Sequence, residues 1–150
     1  MANGFLGRGM AFPPEIDPAT GRFKMSEGEQ SVRESIWIIL MTQTTERFLR
    51  PNFGTEIASY VFMDTSLTAL TMMRRELADR LLAQEPRIDD VNIEMDTEER
   101  KGYIMFNIDY RIAATGSRDN LVFPFYMNTD MPAPEGEVEY YEPEIIDVGE

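Results

Sequence analysis

The sequence predicts an α+β domain: two long helices and a short helix packed on a three-stranded antiparallel meander. Two observations predict it. Apolar residues recur every three or four positions through residues 26–43 and 66–85, the spacing of a buried helix face. From Val91 onward the period drops to two and holds through three short runs. Helices followed by strands is the order that α+β domains show.

Taken in order, residues 1–25 are rich in Gly and Pro, with Phe5, Leu6, Met10, Phe12, Ile16 and Phe23 between them. Regular structure is not expected there. The segment reads as an extended N-terminal arm, either frayed or docking its aromatics on the domain or a neighbour. The first helix is expected from Ser26, because Ser26 and Glu29 fit a capping box. Val32, Ile36, Ile39 and Leu40 then follow at helical spacing, and Trp37, Ile38 and Met41 widen the apolar arc. Threonines near Gln43–Glu46 weaken the helix.

A turn follows at Pro51 and Gly54, then a short helix over Thr55–Phe62 with Ile57, Val61 and Phe62 inward. Asp64, Thr65 and Ser66 offer caps for the second long helix. Its stripe is Leu67, Leu70, Met73, Leu77 and Leu81, and Pro86 ends it. Val91, Ile93 and Met95 alternate with polar residues as far as Asp96, and a loop is expected at Thr97–Lys101. Ile104 to Ile112 forms the second run. After a loop at Thr115–Asn120, Leu121 to Met127 forms the third. One face of this meander should be polar and the other should carry the helices. Pro124 belongs on an edge strand, since it has no N–H for a ladder. The domain is thus placed at residues 26–130, between the arm (1–25) and an acidic, Pro-containing tail (131–150).

Composition narrows the chemistry. The chain has no Cys and no His. Thiolate chemistry, Ser-His pairs and the commonest zinc ligands are therefore excluded. The net charge of -13 is partly local, because residues 131–150 hold seven of the 27 acidic residues and none of the 14 basic ones. Such a balance opposes nucleic-acid binding, which requires cations against phosphate. That tail also carries Val138, Tyr140, Ile145, Ile146 and Val148, more apolar character than a purely solvating end needs. No stretch is long enough for a membrane span, and the N-terminus lacks a signal-peptide pattern. The chain is expected in the cytoplasm at synthesis, without cofactor or metal.

Paired carboxylates suit glycoside hydrolysis. The candidates are Glu85 with Asp89 or Asp90, and Glu94 with Asp96, and a solvated face explains them better. Two segments are more specific. Glu85-Pro86-Arg87 lies where helix gives way to strand, and is expected to project a Glu and an Arg from a rigid corner. Arg47 and Arg50 flank the turn Pro51-Asn52-Phe53-Gly54, a placement suited to carboxylates of a partner or of the same chain.

The order Gly7-Arg8-Gly9-Met10-Ala11-Phe12-Pro13-Pro14, Arg50-Pro51-Asn52-Phe53-Gly54, Glu85-Pro86-Arg87 and then the meander resembles the small baseplate wedge family of contractile tails. The resemblance covers residues 4–130 and extends to the small baseplate subunit of type VI secretion systems. It implies a structural, non-enzymatic subunit, despite the family's older "lysozyme-like" label. It further implies six copies around the tail, larger wedge proteins and sheath protein as partners, and tube or hub proteins as further neighbours. Glu85, Pro86 and Arg87 become the first interface candidates, joined by Arg47, Arg50, Pro51, Phe53 and Gly54. A meander also leaves two sheet edges open, so Val91, Ile93 and Met95 are candidates for pairing with a partner's strand. The alternatives are a phage neck connector and a cell-wall glycosidase.

Overall fold

The computed structural model describes residues 4–62, 66–98 and 103–126. The tail 131–150, Met127, Asp64, Thr65 and the side chains of Val61 and Phe62 lie outside the described residues.

The N-terminal segment differs from the expected arm. A 3-10 turn at Gly4–Leu6 leads into four short strands: β1 (Arg8–Met10), β2 (Ile16–Asp17), β3 (Arg22–Phe23) and β4 (Met25–Glu27). β1 pairs with β4 and β2 with β3, both antiparallel, so the segment is a double ribbon. Its Gly and Pro residues shape the turns of that ribbon. The carboxylate of Asp17 takes the Ala19 N–H and the Thr20 hydroxyl, closing the tip. Leu6 is the ribbon's contribution to the core, while Phe5, Phe12 and Phe23 stay in solvent.

The first helix, α1 (Glu29–Met41), starts three residues later than expected. Ser26 is not its cap. It lies on β4 opposite Gly9, with its hydroxyl buried and without a partner among the described residues. The N-cap is Gly28 at φ 66°. The chain turns from strand to helix through a left-handed conformation that favours glycine, and the helix begins only after it. Val32, Ile36, Ile39 and Leu40 are buried as expected. The helix stops at Thr42, whose hydroxyl returns to the Ile38 carbonyl at 2.6 Å.

The short helix is a 3-10 turn, Ile57–Phe62. α2 (Leu67–Gln84) follows, with the Ser66 hydroxyl accepting from the Ala69 N–H. Met73, Leu77 and Leu81 are buried, but Leu67 at the first turn is exposed. Helix ends project beyond the layer they cover, so a stripe read from spacing overruns the core there.

The sheet has the order β5–β6–β7, all antiparallel: β5 (Ile88–Glu98), β6 (Tyr103–Ile112) and β7 (Arg118–Tyr126). Ile104, Phe106, Ile108, Tyr110 and Ile112 of β6 are buried, with Ile93, Leu121 and Phe123 beside them. Phe123 meets Trp37 of α1 edge to face at 5.1 Å. The other face is polar. There Arg111 binds Asp89, and Arg118 binds both Asp90 and Asp109. This ladder explains why β7 starts at Arg118 and not at Leu121. Polar cross-strand pairs extend it where hydrophobic alternation gives no signal. β5 likewise begins earlier, at buried Ile88, and crosses a bulge at Asp89.

Candidate assembly interface

The corner after α2 is locked from within. Arg87 donates from Nε to Glu85 Oε1 at 2.7 Å and from Nη2 to Glu85 Oε2 at 2.8 Å. The Arg87 backbone N–H adds a third bond to Oε1 at 3.1 Å. Glu85 does not project as expected. Its side chain is 2% exposed, while Arg87 lies over it, half-buried. Burial pushes the Glu85 carboxyl upward, but hydrogen bonds from Arg87 and Ser35 outweigh that and hold it below the ordinary value of 4.5. Arg87 uses its remaining Nη1 on the Leu6 carbonyl at 3.0 Å and on Ser31 Oγ at 3.2 Å. One guanidinium thereby ties the α2–β5 corner to α1 and to the N-terminal ribbon. Pro86 is exposed at the surface of this knot.

The second segment forms a loop anchored at its base. Thr44 and Thr55 are buried, with Thr44 N–H on the Thr55 carbonyl at 3.0 Å and Thr55 N–H on the Thr42 carbonyl at 2.9 Å. Gly54 takes φ 101°, and a Cβ there would stand 2.2 Å from the Thr42 carbonyl oxygen. The Gln84 side chain grips the same residue, accepting from Gly54 N–H at 2.7 Å and donating to its carbonyl at 2.8 Å. The sequence gives no signal for that clamp. At the tip, Arg47 sits 4.8 Å over the Phe53 ring. Phe48 and Leu49 are 94% and 90% exposed. Neither Arg47 nor Arg50 has a carboxylate partner among the described residues.

At the third candidate, the β5 edge, hydrogen-bond parity gives the direction of the backbone groups. Ile112 N–H donates to the Ser117 carbonyl and Ile88 N–H to the Glu85 carbonyl, so the Ile88–Ile112 pair exchanges no ladder bonds. Parity alternates along antiparallel strands. Asp90, Asn92, Glu94 and Asp96 therefore bond β6, while Val91, Ile93 and Met95 aim their N–H and C=O groups away from it, with their side chains toward the core. The same count on β7 places Pro124, opposite Met105, at an outward position. Its missing N–H costs the sheet nothing and removes one donor from that rim.

The corner, the loop and the rim do not form one cleft. The corner and the loop adjoin through Gln84 and Glu85, whereas the outward groups of Val91, Ile93 and Met95 run along a separate edge. Of the candidate acids, Glu85 is spoken for by Arg87, Asp89 by Arg111 and Asp90 by Arg118. Glu94 and Asp96 are exposed on β5.

A small helix-backed sheet whose rims are unpaired among the described residues, beside an internally braced corner, has the make-up of a structural module for assembly. The chain belongs to the baseplate wedge protein gp25 family, which matches it over residues 26–117. It is 36% identical to a Geobacter sulfurreducens protein that carries the name tail lysozyme, in a crystal structure, covering 71% of this chain and 96% of that one, with a TM-score of 0.64. A chain of the anti-feeding prophage baseplate shares the fold at 23% identity and a TM-score of 0.56, over 85% of this chain and 90% of that one. A chain of the type VI secretion baseplate complex does so at 21% and 0.55, over 66% and 93%. No curated protein sequence matches.

Proposed function

We propose that this chain is a structural baseplate subunit of a contractile tail or tail-like injection particle, and that it recruits neighbouring chains by lending them the β5 edge. The observation that carries this reading is the rim itself: Val91, Ile93 and Met95 present three outward N–H and C=O sets along a strand that, among the described residues, pairs on one side only. A strand added there satisfies those groups and sets register by backbone bonding. β7 is the weaker rim because of Pro124. Sheath protein is the proposed occupant. Larger wedge proteins dock at the braced corner and the loop around Arg50-Pro51-Asn52-Phe53-Gly54. A glycosidase role lacks support, since a general acid needs a raised pKa, whereas arginines hold Glu85 and Asp89 below their ordinary values.

Proline at Val91, Ile93 or Met95 removes an outward donor and spares the β6 ladder. Such variants should still bind wedge proteins yet fail to start sheath polymerisation. Unchanged sheath assembly refutes the edge mechanism. The purified protein should leave peptidoglycan intact.

A further inference from the structure

The N-terminal ribbon carries an apolar face that the described part of the domain does not cover. Lys24 joins β3 to β4: its N–H donates to the Glu15 carbonyl at 2.8 Å, and its carbonyl accepts from the Ala11 N–H at 2.9 Å. Residues 22–27 thus run as one extended strand, with side chains on alternate faces. Ser26 is buried on the inner face, so Phe23, Met25 and Glu27 share the outer one. Cross-strand partners lie on one face together. Ile16 stands opposite Phe23, Met10 opposite Met25 and Arg8 opposite Glu27. The intervening residues 11–14 lean toward α1, where the Phe12 N–H meets Glu34 Oε2 at 3.2 Å. The outer face is therefore two apolar rows followed by one row holding a cation and an anion. Its four apolar side chains, Met10, Ile16, Phe23 and Met25, are 47% to 62% exposed. Arg8 and Glu27 are exposed too, and neither has an ion-pair partner among the described residues.

We propose that this face pairs with the same face of a second copy of the chain, about a two-fold axis running along the strands. Such an axis exchanges the two strands of the ribbon and keeps each row in place. Ile16 then meets Phe23 of the second copy, Met10 meets its Met25, and Arg8 meets its Glu27. The charged row decides the orientation: a two-fold axis across the strands would set Arg8 and Glu27 against the apolar row nearest the tip. Two ribbons stacked in this way lie about 10 Å apart, with both domains on the outside. A two-stranded ribbon is marginal by itself, and a second layer buries the side it leaves in water. The four apolar side chains expose on the order of 400 Å², and the whole face on the order of 600 Å² per copy. That lies at the low end of specific interfaces. The net charge of -13 on each copy also opposes association. The dimer is therefore weak, with a dissociation constant on the order of tens of micromolar. It does not depend on pairing at β5.

Sedimentation velocity on the full chain, from about 5 to about 500 µM at about 0.15 M salt, reads the association. The unchanged chain should pass from monomer to mostly dimer across that range. Phe23→Asp should remain monomeric throughout. Arg8→Glu and Glu27→Arg should each weaken association about tenfold, because two symmetry-related pairs turn from attraction to repulsion. Mixed in equal amounts, these two variants should associate as well as the unchanged chain, since each supplies the charge the other lacks. A defect inside one ribbon is not repaired by mixing, so this arm separates docking from folding. The melting temperature of Phe23→Asp checks that variant's fold. A chain that stays monomeric at the highest concentration overturns the proposal. So does a dimer that Phe23→Asp leaves intact, or a mixture that associates no better than its components.

Discussion

Arg87 grips Glu85 through parallel bonds of 2.7 and 2.8 Å, although only Pro86 separates them in the chain. A pair so close in sequence usually stays at the surface. Here the carboxylate is buried and the guanidinium reaches on to Leu6 and Ser31, 81 and 56 residues away. The segment therefore holds the corner's shape first, and any partner meets a surface it has already set.

Arg87→Ala leaves a buried carboxylate unpaired. It should cost about 3–5 kcal/mol of folding stability. The double change Glu85→Leu with Arg87→Leu should cost less than Arg87→Ala alone, since neither charge remains to be desolvated. Urea unfolding of the variants checks both.

Acid should weaken the fold through the same group. Glu85 and Asp119 are both held below their ordinary values of 4.5 and 3.8. For Asp119, burial pushes upward, but the Asn120 N–H, the Tyr110 hydroxyl and Arg33 outweigh it. A depressed folded pKa means that the unfolded chain takes up protons first. The stabilisation is complete above the ordinary value and is lost as pH falls through the folded one. The melting temperature should fall as the pH drops below about 5, and Glu85→Gln should flatten part of that slope.

Gly54→Ala places a Cβ 2.2 Å from the Thr42 carbonyl oxygen at φ 101°. Strain and clash together should cost more than about 2 kcal/mol. Gly116→Ala, at φ 69° with open space around it, should cost only about 1–2 kcal/mol. Calorimetry separates the two.

Register on the sheet is tested by a pair of opposite faces. Phe106 is buried against Phe123 and Phe125, so Phe106→Ala should cost about 3–5 kcal/mol. Val122 points to the polar face, and Val122→Ala should stay within about 0.5 kcal/mol.

Periodicity makes α2 and β6 legible, because β6 buries alternate residues along its length and α2 buries one stripe from Met73 to Leu81. The ribbon strands were not legible: two or three residues are too few to show a period, and Gly and Pro read as loop whether or not a ladder forms. Ser26 misled for a related reason. Its S-x-x-E spacing is local, while its place on β4 depends on Gly9, seventeen residues earlier. Arg118–Asn120 looked like loop because a polar face carries no hydrophobic signal. At the candidate site, sequence picked out Glu85 and Arg87 but not their partners Leu6 and Ser31, which only tertiary packing brings near. The Gln84 clamp on Gly54 had no sequence signal at all.

Amide hydrogen exchange on the isolated chain and on the assembled particle tests the edge-pairing account most directly. Val91, Ile93 and Met95 N–H groups should exchange rapidly when the chain is alone and become protected in the particle. If they exchange as fast in the assembled baseplate as in isolation, no neighbour's strand lies on β5, and edge lending is not how this subunit works.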